Sequence, residues 1–345
     1  MKRLFAIGIN CLLALACCTG MAQSRPVIVD AAGKGDFKAI QEAINSLPDS
    51  SATNRTILVK KGTYPEKISI TKSHIILKGE DEAHTVITFD MARDVWRCQN
   101  HADDWGVATL NLRGSDITLE NLTIINGYGF HHVQDSTINC QSNTESTTTK
   151  VVRPDGHQMA LRSFQTTRLR VIHCALRARG GDTVSPWNGA SGLYYFKDCL
   201  MEGGVDFYCP RGWAYAENCQ FVCHSLEAAI WHDGSKNKSQ KTVLVNCTFT
   251  GDSRFKLGRY HLDSQFYLIN CKFARNMANA PIYQAASSKG TQWGSRIYFE
   301  NCHRDGGDYT WFKNNLATAP GAPVAANINA LWAMDNQWNP ERSGE

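Results

Sequence analysis

Short apolar segments separated by Gly, Asp and Asn turns fill most of the chain after about residue 55. They are rich in Val, Ile, Leu, Phe and Tyr, as in Ile75-Ile76-Leu77. Such segments predict β-strands bounded by turns. An earlier stretch instead has its apolar residues on one helical face, namely Phe37, Ile40, Ala43, Ile44 and Leu47. We therefore expect an all-β protein with one amphipathic helix near its N-terminus.

A cysteine preceded by His, Asp or Asn marks a repeat in the second half of the chain. The cysteines are Cys174, Cys199, Cys219, Cys247, Cys271 and Cys302. Their spacing of roughly 20 to 30 residues, with short strands and no helices between them, is typical of a solenoid. The pattern favours a single-domain right-handed parallel β-helix over residues 23–345. We expect the helix to cap it and residues 311–345 to pack along its outside.

Equivalent positions of such a coil stack about 4.8 Å apart and form ladders. The repeated cysteines are therefore interpreted as an inward ladder of small apolar side chains, with the preceding Asn or Asp as a ladder at the turn. A nucleophilic or metal-binding role is the alternative that repetition disfavours. Cys98 and Cys140 flank a polar loop, from Phe130 to Arg153, and could form a disulfide.

The first 22 residues resemble a secretory leader. Lys2 and Arg3 precede an apolar body, and small residues at Gly20 and Ala22 suggest cleavage before Gln23. The expected location is therefore secreted or periplasmic, where disulfides are permitted. A lipoprotein acylated at Cys17 or Cys18 is the alternative. The formal net charge is +4, of which Lys2 and Arg3 contribute two, and no basic run predicts nucleic-acid binding. No run of about 20 apolar residues predicts a membrane span.

Polar side chains occupy nearly the same sector of five consecutive predicted coils: Gln158, Asp182, Asp206, His232 and Arg259. Two carboxyls one coil apart would lie about 5 Å from each other, so that one pKa rises while the other group stays ionised. Arg259 is placed to hold one carboxylate by two hydrogen bonds. The alternative is a structural Arg-Asp bridge with a spare aspartate at the surface.

These residues resemble the pectin methylesterases, carbohydrate esterases built on a right-handed parallel β-helix. Gly62-Thr63-Tyr64-Pro65-Glu66 is similar to G-x-Y-x-E of that family, and Gln158-Met159-Ala160-Leu161 to Q-A-V-A-L. Gly181-Asp182-Thr183-Val184 resembles Q-D-T-L. Gly203 to Phe207 and Leu257 to Arg259 match the starts of G-x-V-D-F-I-F-G and L-G-R-P-W. The motifs occur in the family's order over about residues 26–315.

The resemblance implies hydrolysis of methyl esters of galacturonate in pectin, without a cofactor or metal. Asp206 would be the nucleophile, Asp182 the general acid and base, and Arg259 the residue that keeps Asp206 charged. Gln158 would face the oxyanion. Glu66 would be a structural partner at the N-terminal end. The expected partner is a pectic polysaccharide or oligosaccharide, bound by a monomer.

The chain departs from the family pattern at three points near the site. Gly181 stands where the family has an oxyanion Gln, Tyr208-Cys209-Pro210 stands where it has I-F-G, and Tyr260-His261 replaces Pro-Trp after Arg259. The candidate substrate contacts are His232, Trp231, Trp187, Tyr260 and His261. The alternative for His232 is a surface loop histidine; Trp187 or Trp213 could stack on a sugar, with aromatic packing outside the coil as the alternative. The polar loop from Phe130 to Arg153 is expected to form one wall of a groove.

Two other functions use the same architecture. A glycoside hydrolase acting on polygalacturonate would also suit two carboxylates about 5 Å apart, whereas a lyase would need a calcium cluster that the residues around Asp182 and Asp206 do not supply. A non-catalytic pectin-binding β-helix is the third hypothesis. The sequence does not distinguish homogalacturonan from rhamnogalacturonan as the preferred polymer.

Overall fold

The chain winds into a right-handed parallel β-helix in the computed structural model, which describes residues 25–100, 103–140, 149–252 and 254–342. The predicted leader lies outside these residues. Two faces of the coil form one sheet of 17 strands in this part of the chain. Its strands are Val27–Val29, Arg55–Val59, Gly62–Tyr64, Ile75–Gly79, Thr85–Phe89, Ile117–Asn126, Leu169–Arg177, Leu193–Lys197, Leu200–Gly203, Trp213–Glu217, Gln220–Cys223, Thr242–Val245, Thr248–Gly251, Gln265–Ile269, Lys272–Phe273, Arg296–Glu300 and His303–Arg304.

The remaining face, which we call the site sheet, consists of two parallel groups of strands. The first group is Ile68–Ile70, Leu110–Leu112, Leu161–Phe164 and Val184–Trp187, and the second is Ala228–His232, Lys256–Tyr260 and Tyr283–Gln284. Tyr208 joins the groups, because it bridges Val184 on one side and Ile230 on the other. The site sheet therefore continues through the coil that carries Asp206.

The interior confirms the predicted cysteine ladder. All six repeat cysteines are buried and unpaired, and they pack in one core with aliphatic and aromatic side chains. Beside them, the amide of Asn218 donates to Asp198, Asn246 to Asn218, Asn270 to Asn246 and Asn301 to Asn270, over 2.8 to 3.3 Å. Each member has a positive φ between 49° and 54°. Asn and Asp tolerate this left-handed conformation better than other non-glycine residues, which explains the repeat.

The predicted N-terminal helix spans Ile40–Ser46 and buries Ile40, Ala43 and Ile44 against the first coil. Its N-cap residue, Ala39, has no capping side chain. Glu66 supplies the acceptors instead, since its two carboxylate oxygens accept from the N–H groups of Ile40 at 2.8 Å and Gln41 at 3.0 Å. A carboxylate satisfies free N–H groups and complements the helix dipole there. Glu66 is therefore a structural residue, as expected.

The other helices are short and lie outside the coil. They are the α-helices Arg93–Gln99, Tyr128–His131 and Ala330–Ala333 and the 3₁₀ helices Thr310–Phe312, Leu316–Thr318 and Ala325–Asn327. In the part of the chain that the structure describes, none is long and apolar enough to cross a membrane. Residues after 310 pack on an outward row of aromatic side chains that includes Tyr195, Tyr215 and Tyr267.

The polar loop before Gln158 contains an antiparallel hairpin of Ser136–Asn139 and Thr149–Val152. Ile138 and Val152 pack against Ala92, at the start of the helix Arg93–Gln99. A disulfide joins Cys98 to Cys140 and confirms the predicted pair. The hairpin and this helix are thus tied together, next to the edge of the site sheet where Gln158 lies.

Candidate active site

Asp206 and Arg259 form the most tightly bonded pair of the candidate site. Arg259 lies on the strand Lys256–Tyr260, two coils beyond Asp206, and its side chain reaches back to it. Nε donates to Oδ1 at 2.9 Å and Nη2 to Oδ2 at 2.6 Å. Asp206 is only 6% exposed. Such a two-point contact both holds a carboxylate ionised and fixes its direction.

Asp182 lies one coil before Asp206 in the same register, because Val184 bridges Tyr208 and each follows its aspartate by two residues. Two nitrogen-bearing side chains lie near its oxygens at longer distances: His157 Nε2 is 3.8 Å from Oδ1 and Arg162 Nη1 is 3.9 Å from Oδ2. These distances exceed that of a hydrogen bond. The Asp182 carboxyl thus lies on the coil next to Asp206, and no donor among the described residues holds it in a single direction.

The pKa of Asp206 reflects opposing effects. Burial raises it from the ordinary value of an aspartate, and the nearby Asp182 acts in the same direction. Hydrogen bonding and charge attraction from Arg259 lower it, while the same contact raises the pKa of Arg259. Both carboxylate oxygens of Asp206 accept from guanidinium N–H groups, an arrangement that the ionised form satisfies. Arg259 thus offsets part of the cost of burying this charge.

The backbone gives a second reason for aspartate at these two positions. Asp182 has φ of 57° and Asp206 has φ of 55°, in the left-handed region. Asparagine fits this conformation equally well, so the backbone alone does not demand a carboxylate. At position 206 the pairing with Arg259 demands a carboxylate, because a neutral amide would leave Arg259 without its bidentate partner.

Gln158 lies in register with the two aspartates, but its side chain is enclosed by the protein. The residue is fully buried. Its Nε2 donates to the carbonyl of Pro154 at 2.5 Å, and its Oε1 accepts from the N–H of Gly129 at 2.9 Å. The amide therefore joins the loop before the strand Leu161–Phe164 to the helix Tyr128–His131. The predicted oxyanion contact of Gln158 is absent from this arrangement.

His232 and Tyr260 also lie inside the coil. They pair with each other on neighbouring strands and are 2% and 7% exposed. Burial lowers the pKa of His232 to about 4, its Nδ1 accepts from the N–H of Gly234 at 3.0 Å, and its ring packs edge-on against Phe266. The structure does not bring either side chain to the aspartates, because both alternate with outward-facing neighbours along their strands.

Those outward neighbours are Trp231 and His261. Their rings stack with centroids 5.9 Å apart, and the Arg259 guanidinium lies 5.2 Å from the Trp231 ring. The two residues therefore form an aromatic surface directly beside the Arg259–Asp206 pair. The substrate contacts predicted for Trp231 and His261 are compatible with this placement.

Trp187 covers two buried arginines that the sequence reasoning missed. It is 39% exposed, and the guanidinium groups of Arg162 and Arg211 lie 4.7 and 4.3 Å from its ring. Both arginines donate to Ser185 Oγ, and Arg211 also pairs with Asp233. An arginine inside an otherwise buried strand, as in Ala160-Leu161-Arg162, is the sequence signal that could have identified Arg162. By contrast, Trp213 packs under the C-terminal segment.

Two cavities lie along the site sheet. One of about 310 Å³ is bordered by Trp105, Arg113, Phe164, Trp187 and Lys236. The other, of about 570 Å³, is bordered by His157, Arg179, Gly204, Val205 and His224, and it borders the polar loop at Arg153. The loop thus contributes to one wall, as expected. Asp182 and Asp206 themselves border neither cavity. The larger of the two borders Gly204 and Val205, directly before Asp206, and the smaller borders Trp187.

Comparison with known proteins gives consistent results. Residues 26–268 match the family model described as Pectinesterase. "Putative pectinesterase 11" of Arabidopsis thaliana is 30% identical over 241 residues, which cover 67% of this chain and 57% of that protein. "Probable pectinesterase/pectinesterase inhibitor 58" of the same plant is 25% identical, over 66% of this chain and 36% of its own. The chain therefore matches about a third to three fifths of the length of these relatives.

Solved structures with a similar fold are pectin methylesterases. That from Erwinia chrysanthemi has a TM-score of 0.68 with 22% identity, over 91% of this chain and 98% of the other. A pectin methylesterase in complex with a hexasaccharide also has a TM-score of 0.68, with 21% identity over 93% of this chain and 100% of the other. At these identities the likeness shows the fold. Because the family model covers most of the chain, this protein belongs to the pectinesterase family.

Proposed function

We propose that the protein removes methyl esters from galacturonate in pectic polysaccharide and releases methanol. The observation that carries the proposal is the contrast between the two aspartates. Asp206 is buried and aimed by Arg259, as an attacking group must be. Asp182, on the adjacent coil, has no hydrogen-bond donor on its carboxyl within the described residues, which leaves it free to exchange a proton with the substrate.

In the proposed reaction, an Asp206 oxygen attacks the ester carbonyl carbon and forms a tetrahedral oxyanion. The bond from that carbon to the methoxy oxygen then breaks, and Asp182 gives its proton to the departing group to form methanol. A water molecule attacks the resulting anhydride while Asp182 takes one of its protons. Cleavage of the bond to Asp206 releases galacturonic acid, which loses its remaining proton to solvent, and restores the Asp206 carboxylate. One ester and one water give one acid and one methanol.

The aromatic side chains around the site support a sugar chain as the substrate. Trp231 with His261 on one side of Asp206, and Trp187 on the other, present ring surfaces of the kind on which sugars stack. We further propose that the protein is secreted or periplasmic, supported by the leader pattern of its first 22 residues, and that it acts as a monomer.

Methanol release by the purified mature protein tests this function, measured separately on methylated homogalacturonan and methylated rhamnogalacturonan. The variant Asp206→Asn suits the left-handed backbone and removes the nucleophile, so activity should fall on the order of 10³-fold or more. Asp198→Asn is the matched control, since Asp198 has φ of 52° in the turn ladder and should keep full activity. A folded Asp206→Asn protein that still releases methanol contradicts the assignment. Shortening of the polymer on a sizing column would instead favour a glycoside hydrolase.

A further inference from the structure

The proposed reaction requires a hydrogen-bond donor for the oxyanion, and neither expected amide provides it. Gln158 is buried and bonded to the backbone at Pro154 and Gly129. Gly181 has no side chain, and a Cβ added there would lie 2.7 Å from the carbonyl oxygen of Val205. No amide side chain fits at 181 without a backbone shift. A donor aimed at the developing charge is nevertheless among the largest contributions to such catalysis.

His157 occupies the space beside Gly181. Its Cδ2 lies 3.2 Å from the position where a Cβ of residue 181 would stand. Its Nε2 is 3.8 Å from Asp182 Oδ1, and an electrostatic interaction with the ring lowers the pKa of Asp206. The ring therefore lies within electrostatic reach of both carboxyls, on the side from which the side chain of residue 181 is missing.

The His157 ring is also accessible, and its Nε2 makes no hydrogen bond within the described residues. Its side chain is 42% exposed and borders the cavity of about 570 Å³ together with Gly204 and Val205, the residues before Asp206. At 3.8 Å, Nε2 is too far from Asp182 for a direct hydrogen bond. Arg162, whose guanidinium also lies near Asp182, is only 2% exposed and does not border this cavity.

Backbone contacts fix the position of His157. His157 forms a parallel bridge with Gly181, and its carbonyl accepts from the N–H of Arg93 at 2.9 Å. Arg93 itself is bound by both oxygens of Asp104. His157 therefore belongs to a segment of the coil whose backbone is fixed by hydrogen bonds. A donor for an oxyanion must be positioned in this way before the substrate binds.

We propose that His157 is a further catalytic residue, whose Nε2–H donates a hydrogen bond to the oxyanion formed when Asp206 attacks the ester. The inference rests on the proposed esterase function. The imidazole takes over, from the neighbouring coil, the contact that a glutamine at position 181 would make. The sequence signal for it is the histidine directly before Gln158.

The test compares steady-state methanol release by the wild type and by His157→Phe, His157→Ala and His157→Gln. Phe keeps a planar ring without a donor, whereas Gln restores an N–H donor. We expect kcat to fall about 10²- to 10³-fold in the Phe and Ala variants, with KM changed less than about threefold. The Gln variant should recover at least about tenfold in kcat relative to Ala. His84→Phe is the matched control, because the His84 ring also contacts an aspartate, Asp81, at 2.6 Å, and it should match the wild type.

The possible results distinguish the role of His157 from the proposed esterase function. If the wild type is active and His157→Phe keeps its kcat, the proposed role of His157 is wrong and the esterase function is unaffected. An equal loss in the Phe and Gln variants, or a loss confined to KM, overturns it as well. A wild type that releases no methanol from either polymer overturns both proposals. Circular dichroism melts confirm that the variants compared are folded.

Discussion

Asp182 and Asp206 share a residue type, a left-handed backbone and equivalent positions on adjacent coils, yet their side chains are bonded differently. Asp206 is fixed by Arg259 on both oxygens, whereas Asp182 only lies near His157 and Arg162. Residue type and register alone would make the two interchangeable. In the proposed reaction, the reach of one arginine across two coils is what distinguishes the nucleophile from the proton carrier.

Replacing Arg259 should therefore change the pH dependence of the reaction as well as its rate. Asp206 must be ionised to attack, and burial already raises its pKa while Arg259 lowers it. In Arg259→Gln, the main effects that lower the pKa of Asp206 are removed while burial still raises it, so the pKa rises further. Activity is then lost at a higher pH as the solution is acidified, and the acid limb of kcat/KM against pH moves upward. The measurement is that profile for the wild type and the variant.

Arg259→Lys is the control for this shift, because lysine keeps the positive charge but lacks the two-pronged geometry. Its acid limb should stay closer to that of the wild type, although its rate falls. An unchanged acid limb in Arg259→Gln would show that Arg259 does not set the ionisation of Asp206.

At the scale of one structural element, the turn ladder joins coils through side chains as well as backbone. Asn246 donates to Asn218 at 3.3 Å and accepts from Asn270 at 3.1 Å, and its φ is 54°. Alanine at this position would lose both contacts and adopt an unfavourable left-handed conformation. We expect Asn246→Ala to lower the free energy of unfolding by about 1–2 kcal/mol, since the residue is exposed and its hydrogen bonds compete with water.

Asn246→Gly separates the two contributions, because glycine keeps the left-handed backbone at little steric cost. Chemical denaturation of the three proteins should place glycine between the wild type and alanine. Equal stability of Asn246→Ala and the wild type would mean that the ladder is a by-product of the turn and contributes no stability.

The ladder also shows why the sequence predicted this fold so well. A repeat in sequence becomes a stack in space, so the cysteines and the Asn or Asp before them located the coils without any knowledge of side-chain contacts. The direction of single side chains was less predictable. His232 and Trp231 are neighbours, and the structure turns the former inward and the latter outward. A small offset in the assumed register reverses that choice.

The candidate site was also predictable only in part. Asp182, Asp206 and Arg259 come together because a carboxylate among apolar residues needs a partner, which the sequence pattern indicated. The engagement of Gln158 with Pro154 and Gly129 depends on how two loops fold back on the coil. Such loop contacts have no periodicity, and no pattern along the chain records them.

Considered as a whole, the molecule has a second buried surface outside the coil. The C-terminal segment covers outward aromatic side chains of the 17-stranded sheet, among them Tyr215 and Tyr267. Asp335 anchors it, since its oxygens accept from Trp213 Nε1 at 2.7 Å and from the ammonium group of Lys241. Lys241 is only 7% exposed. Its charge therefore depends on a residue from the far end of the chain.

Removing that charge partner should weaken the whole protein without changing its chemistry. Asp335→Asn keeps the left-handed backbone of φ 52° and an acceptor for Trp213, but leaves the Lys241 ammonium buried without a counter-charge. Loss of one member of a buried pair costs about 3–5 kcal/mol. Because the Asp335 side chain is 27% exposed, we expect about 2 kcal/mol, measured as a lower free energy of unfolding. At temperatures well below unfolding, kcat should equal that of the wild type, since Asp335 contacts no residue of the candidate site. A loss of kcat with unchanged stability would instead mean that the C-terminal segment takes part in the reaction. If neither kcat nor the free energy of unfolding changes, the Lys241 ammonium group does not depend on Asp335 for its stabilisation.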